Sequence, residues 1–214
     1  MKLLLTSAGI VNKSLARALR NLVKGEIRIS FIPTSANIEE GDKGWLISNY
    51  NECAKLGTVD IVDISALDKK IWLPRLKKSN VIVVGGGNTA YLMSWIVKSG
   101  LIHELPRLLK TRVYVGISAG SIVTARKLSS GSDYLYGDEP KNAPAGLGYI
   151  DFNIRPHFNS PQFPKVRDKQ LMVVSKKLDG DLYALDDESA VLCVDGKLQI
   201  ISEGKWKKYS LSSN

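Results

Sequence analysis

Val113-Tyr114-Val115-Gly116-Ile117-Ser118-Ala119-Gly120 is the stretch that decides how the chain is read. An apolar run from Val113 to Val115 enters a Gly-x-Ser-x-Gly turn, and helical sequence follows from about Ser118. A serine placed on a tight turn between a buried strand and a helix presents a strained, exposed hydroxyl at a sheet edge. A second apolar run, Val81 to Val84, leads into Gly85-Gly86-Gly87-Asn88-Thr89. Continuous apolar runs of this kind are expected of parallel strands covered on both faces.

Outward from these two strands the pattern alternates. Leu3 to Thr6, Ile27 to Pro33 and Val59 to Ile64 read as strands. Between them Leu15, Ala18, Leu19, Leu22 and Val23 recur at helical spacing, with Ser14 as the expected cap and Gly25 as the stop. Leu46, Tyr50, Cys53 and Ala54 mark a second helix. Residues 68–79 read as partly helical, with Pro74 expected to end or restart the helix. Further helices carry Leu92, Trp95 and Ile96, then Leu101, Leu105, Leu108 and Leu109. This alternation predicts an α/β fold with a mostly parallel sheet and helices on both faces. Residues 127–148, rich in Gly, Ser, Asp, Asn and Pro, read as a long loop of the kind that often serves function. A strand-like stretch follows over 149–154, and Leu171, Val174 and Leu178 mark a helix after it. The tail alternates apolar and polar residues around Asp195-Gly196, the signature of a C-terminal β-hairpin. With 214 residues, no repeat and no linker, one domain over 1–214 is expected.

Composition narrows the function classes. A hydrophobic share of 44% and a charged share of 24% are those of an ordinary globular protein. No apolar run approaches the ~20 residues of a membrane span, and the run after Met1 stops at Thr6, short of a signal sequence. Two isolated cysteines, Cys53 and Cys193, suit buried thiols better than a disulfide framework, so the cytoplasm is the expected compartment. The net charge of +9 is carried by scattered lysines without interleaved stacking aromatics, so neither a nucleic-acid nor a membrane partner is expected.

Ligands of open α/β sheets bind beyond the carboxyl ends of the strands, where both glycine clusters fall. Gly85-Gly86-Gly87 reads either as a phosphate loop or as a donor of backbone amides to an oxyanion. The phosphate reading lacks the Walker lysine and the G-x-G-x-x-G spacing. The oxyanion reading needs one strand-end amide and the amide after the nucleophile, which are Gly87 and Ala119. A serine hydroxyl also needs a base. Of the two histidines, His103 lies on an amphipathic helix, whereas His157 lies in the irregular stretch Arg155-Pro156-His157-Phe158. A base histidine in turn needs an acid to orient it. Asp186-Asp187-Glu188 follows the strand-like Leu182 to Leu185 and offers three candidates. The resulting order of serine, histidine and acid differs from the serine, acid, histidine order of the α/β-hydrolases.

Taken jointly, Val84 to Thr89, Gly116 to Gly120, Arg155 to Phe158 and Leu185-Asp186-Asp187-Glu188-Ser189-Ala190 resemble the peptidase E family of serine peptidases. That family includes aspartyl dipeptidases and, more distantly, cyanophycinase. The resemblance spans nearly the whole chain. It implies a flavodoxin-like sheet related to the class I glutamine amidotransferases. It also implies Ser118 as nucleophile, His157 as base, and the Gly87 and Ala119 amides as oxyanion hole. The family's acid falls on Asp187, where many relatives carry glutamate; aspartate is one methylene shorter, which keeps Asp186 and Glu188 open. The expected reaction is hydrolysis of short peptides, in particular dipeptides beginning with aspartate, without metal or cofactor. Asn88, Thr89 and Arg155 are the expected substrate-binding residues, with a cation of the 126–141 loop or Arg155, which on an extended strand faces the same way as His157 two residues on, meeting an acidic side chain. At the position of Arg155 the aspartyl dipeptidases carry asparagine. Two other readings remain: a cyanophycinase-like or other short-peptide hydrolase without aspartate preference, and a catalytically silent binding protein on the same fold.

Overall fold

A computed structural model describes residues 1–128, 135–136 and 145–210. Most of the 127–148 loop lies outside the described residues. Five parallel strands form the body of a seven-stranded sheet: β1 (Lys2–Thr6), β2 (Arg28–Ile32), β3 (Thr58–Ile61), β4 (Val81–Val84) and β5 (Val113–Ile117). The sheet order is β3-β2-β4-β5-β1, continued by antiparallel β8 (Ser189–Val194) and β9 (Lys197–Ser202). Asp195 and Gly196 join β8 to β9 with φ of 49° and 82°, two positive values in succession as a type I′ hairpin turn demands. The fold is thus α/β, with a mostly parallel central sheet and the hairpin at its end.

Helices cover both faces because the strands bury both. In β1, Leu4 packs with Leu15 and Leu19 of α1 (Lys13–Leu22) and Cys53 of α2 (Gly44–Ala54). Leu3 and Leu5, on the opposite face, pack in the cluster that holds Trp72 and Leu76 of α3 (Lys69–Lys78). The same cluster takes Leu92 and Ile96 of α4 (Thr89–Lys98) and Leu101 and Leu105 of α5 (Leu101–Leu108). Alternation of Val81 and Val83 against Ile82 and Val84 repeats this division in β4.

Local details differ from expectation. Asn12, not Ser14, caps α1, its side chain accepting from the Leu15 N–H at 2.9 Å. Pro74 neither ends nor restarts α3. The helix runs through it, held by fully buried Trp72 and Leu76 on either side of the lost backbone bond. Tyr149 to Asn153 is mostly irregular, and only β6 (Asn153–Arg155) is a strand.

The largest departure is a second sheet. β6 pairs parallel with β7 (Leu182–Leu185), and β10 (Trp206–Tyr209) pairs antiparallel with β7. This three-stranded sheet has its own core, in which Leu182, Ala184 and Tyr209 meet Leu171 and Val174 of α7 (Asp168–Ser175).

Candidate active site

Ser118 sits between β5 and the short helix α6 (Ala119–Ile122) with φ 48° and ψ −108°. No ordinary L-residue well lies there, and such a backbone costs on the order of 1–3 kcal/mol. The surroundings over-determine it. The Tyr114 hydroxyl donates to the Gly120 carbonyl at 2.7 Å, and Thr6 Oγ1 donates to the Gly116 carbonyl at 2.8 Å. Gly120 lies so close to β4 that a Cβ there would stand 2.0 Å from the Val84 carbonyl oxygen. That contact explains the second glycine of the motif.

His157 and Asp187 come from the second sheet. β6 and β7 are parallel, so their carboxyl ends lie side by side and each supplies one side chain two residues beyond its end. His157 has φ 64°, which turns the chain abruptly after β6. Its Nε2 lies 3.0 Å from Ser118 Oγ, and its Nδ1 lies 2.6 Å from Asp187 Oδ1. The three side chains therefore form one hydrogen-bonded row across the seam between the sheets.

The acidic turn divides its labour. Asp186 faces the β10 side, accepting from Ser189 Oγ and from the backbone N–H groups of Glu188 and Lys205. Glu188 makes no contact with His157 among the described residues. Burial pushes the Asp187 carboxyl up. Hydrogen bonds from His157, Ser160 and Ser7 outweigh that and hold it below the ordinary carboxylate range.

Two neighbours of the row gave no sequence signal. Ser7, fully buried just past β1, accepts the His157 backbone N–H at 2.8 Å and donates to Asp187 Oδ1 at 3.3 Å. Phe163 stacks on the imidazole, with centroids 4.2 Å apart and planes 14° from parallel.

The glycine loop reaches Ser118 from β4. Gly87 has φ 126°, and a Cβ there would lie 2.3 Å from the Ser35 carbonyl oxygen. Ser35 Oγ donates to the Gly85 and Gly86 carbonyls. Peptide bonds are trans among the described residues, so an N–H points opposite the carbonyl of the preceding residue. The Gly87 N–H is thereby turned away from Ser35. By the same geometry the Ala119 N–H points out of the helix start, because the Ser118 carbonyl accepts from the Ser121 and Ile122 N–H groups.

A cavity of about 420 Å³ opens beside the row, bounded by Gly86, Gly87, Thr89, Ser118, His157 and Asp187 among others. The remaining expected binding residues lie elsewhere. Asn88 caps α4, its side-chain oxygen accepting from the Tyr91 N–H at 2.9 Å. Arg155 is 1% exposed, donates to the Ile154 carbonyl at 2.9 Å and does not border the cavity. The expectation that it lies beside His157 assumed a straight strand, and the positive φ of His157 breaks that alternation. His103 is exposed on α5, away from the cavity.

The sequence model of peptidase family S51 matches residues 3–201. An uncharacterized peptidase of Pasteurella multocida is 28% identical over 181 residues, covering 81% of this chain and 84% of that one. Peptidase E of Shewanella oneidensis is 31% identical over 90 residues, 42% of this chain and 37% of that protein. Among solved structures, a Listeria monocytogenes protein assigned to peptidase E superposes with a TM-score of 0.74 at 21% identity, covering 99% of this chain and 98% of the other.

Proposed function

Because the chain belongs to peptidase family S51, a family of serine peptidases, we propose that it hydrolyses short peptides at Ser118 through an acyl-enzyme. The observation that carries the reading is the row of contacts, 3.0 Å from Ser118 Oγ to His157 Nε2 and 2.6 Å from His157 Nδ1 to Asp187 Oδ1. Asp187, ionised through the neutral range, accepts a hydrogen bond from Nδ1–H and so leaves Nε2 as the acceptor. His157 then takes the hydroxyl proton as Ser118 Oγ bonds to the peptide carbonyl carbon. The carbonyl oxygen, now anionic, is met by the Gly87 and Ala119 N–H groups, each worth about 3–4 kcal/mol in sites of this type. His157 passes its proton to the departing amine as the C–N bond breaks. Water then repeats the attack on the acyl carbon, giving one proton to His157, which returns it to Ser118 Oγ as the acyl C–Oγ bond breaks and the carboxylic acid leaves. Thr89 borders the cavity where a substrate would lie.

Cleavage of aspartyl dipeptides needs a cation facing the substrate carboxylate. Arg155 is buried and does not border the cavity, and most of the 126–141 loop, the other expected source of a cation, lies outside the described residues; the broader reading, a short-peptide hydrolase without aspartate preference, needs no such cation. A fluorophosphonate probe tests the mechanism. It should label wild type and leave Ser118→Ala unlabelled and inactive. Absence of labelling in folded wild type refutes it and favours the silent binding protein.

A further inference from the structure

We propose that Ser35 is a positioning residue that aims the Gly87 N–H at the substrate oxyanion, an inference that rests on the peptidase reading above. Ser35 is fully buried and does not border the cavity, so it reaches the reaction only through the glycine loop. Its hold on that loop has three points. Ser35 Oγ lies 2.9 Å from the Gly85 carbonyl oxygen and nearer still to that of Gly86, so one hydroxyl hydrogen serves both. The Ser35 carbonyl accepts the Asn88 N–H at 2.9 Å. On the opposite side, a Cβ on Gly86 would stand 3.3 Å from Ser118 Cβ. The Gly86–Gly87 peptide is thus clasped between Ser35 and the nucleophile.

A peptide between two glycines has no side chain to set its orientation, and it can turn over at little steric cost. Holding the Gly86 carbonyl toward Ser35 puts the Gly87 N–H on the opposite face, because the peptide is trans. A carbonyl that accepts a hydrogen bond also polarises its peptide and makes the N–H a stronger donor. The anchor is itself tied down. Ser35 lies in the 3-10 turn Thr34–Ala36, just past β2. The Asp63 carboxylate accepts from Thr34 Oγ1 at 2.7 Å and from Asn37 Nδ2 at 2.8 Å, one on either side of Ser35. Thr34 Oγ1 accepts the Ile64 N–H in turn at 3.2 Å. A donor fixed in this way before charge develops needs no reorganisation when the oxyanion forms.

The test uses the full chain and two probes, a fluorophosphonate and its counterpart with P=S in place of P=O. With either, Ser118 Oγ bonds to phosphorus, fluoride leaves, and the hydroxyl proton passes to His157. Only the P=O probe offers the Gly87 N–H a strong acceptor, since sulfur accepts weakly. Ser35→Ala should slow labelling by the P=O probe roughly 10- to 1,000-fold, the upper end being the loss of one oxyanion donor. It should slow the P=S probe markedly less. Ser35→Cys, nearly the same size with a weak S–H donor, should fall between wild type and alanine. It answers the same question if a thermal melt shows the alanine variant unfolded. Labelling of either folded variant at the wild-type rate overturns the proposal. So does equal slowing of the two probes, which is what general loosening of the site would give. Folded wild type that takes up neither probe fails the underlying peptidase reading instead.

Discussion

Ser7→Ala isolates what a single buried hydroxyl does for the row. Ser7 Oγ holds His157 twice: directly, by accepting its backbone N–H at 2.8 Å, and indirectly, through the 3.3 Å bond to the carboxylate that orients the ring. Alanine keeps the backbone and the volume but leaves the His157 N–H without its acceptor. An orphaned buried donor costs about 1–3 kcal/mol. The bond to Asp187 lies at the long end of the range and adds little. If the loss is relieved by drift of His157 away from Ser118, Ser118 activation falls by roughly 5- to 150-fold, since each ~1.4 kcal/mol is a factor of ten. The rate of fluorophosphonate labelling reads this without assuming any substrate, and a thermal melt separates it from loss of fold. On a cleaved dipeptide kcat should fall while KM stays put, because Ser7 acts on the base rather than on the ligand. Labelling within twofold of wild type, in a protein that has lost no more than a few degrees in Tm, would refute the reasoning.

Three further outcomes follow from the same geometry. Asp187→Asn should cut the labelling rate by about 10³- to 10⁴-fold, because the amide cannot hold the Nδ1–H tautomer. The folded Asp187 pKa lies below its unfolded value, so its contribution to stability is present above about pH 4 and is lost as pH falls through the folded value. Urea titrations from pH 5 downward should therefore show wild type losing stability more steeply than Asp187→Asn, and parallel slopes would contradict the assignment. Gly120→Ala places a Cβ 2.0 Å from the Val84 carbonyl oxygen and should cost about 3 kcal/mol or more, read as a lowered Tm or insoluble protein. A melt unchanged from wild type would show that β4 and the elbow can separate.

Much of the main sheet was legible because its strands carry their own signal. Val81 to Val84 and Val113 to Val115 are apolar without interruption, and Asp195-Gly196 announces its hairpin. The elbow was legible for the same local reason. The second sheet was not, because β6 is only three residues long and its partners lie at 182–185 and 206–209, a pairing no local periodicity encodes. Ser7 and Phe163 were silent too, since Ser7-Ala8-Gly9 looks like any loop and the role of Phe163 exists only once the chain folds over His157. Asp186-Asp187-Glu188 was readable as a cluster but not residue by residue. What separates its members is the direction each side chain takes at the β7–β8 turn, Asp186 toward Lys205 and Asp187 toward the imidazole. Arg155 misled because its reading assumed a straight strand where the backbone turns.

The seam between the two sheets gives the row a further meaning. The nucleophile belongs to one sheet, while the base and its acid belong to the other; Ile154, Tyr183 and Leu185 of the second sheet pack in the cluster that holds Leu3 and Leu5 of the first, and its opposite face has a core of its own. A slip of one sheet against the other by half an ångström, which the shared cluster resists, would stretch the 3.0 Å contact on which proton transfer depends. Ser118 and His157 therefore act as a strain gauge across the joint. Heat, denaturant or a mutation remote from the cavity will register there first, as turnover lost while the spectroscopic signature of the folded chain persists.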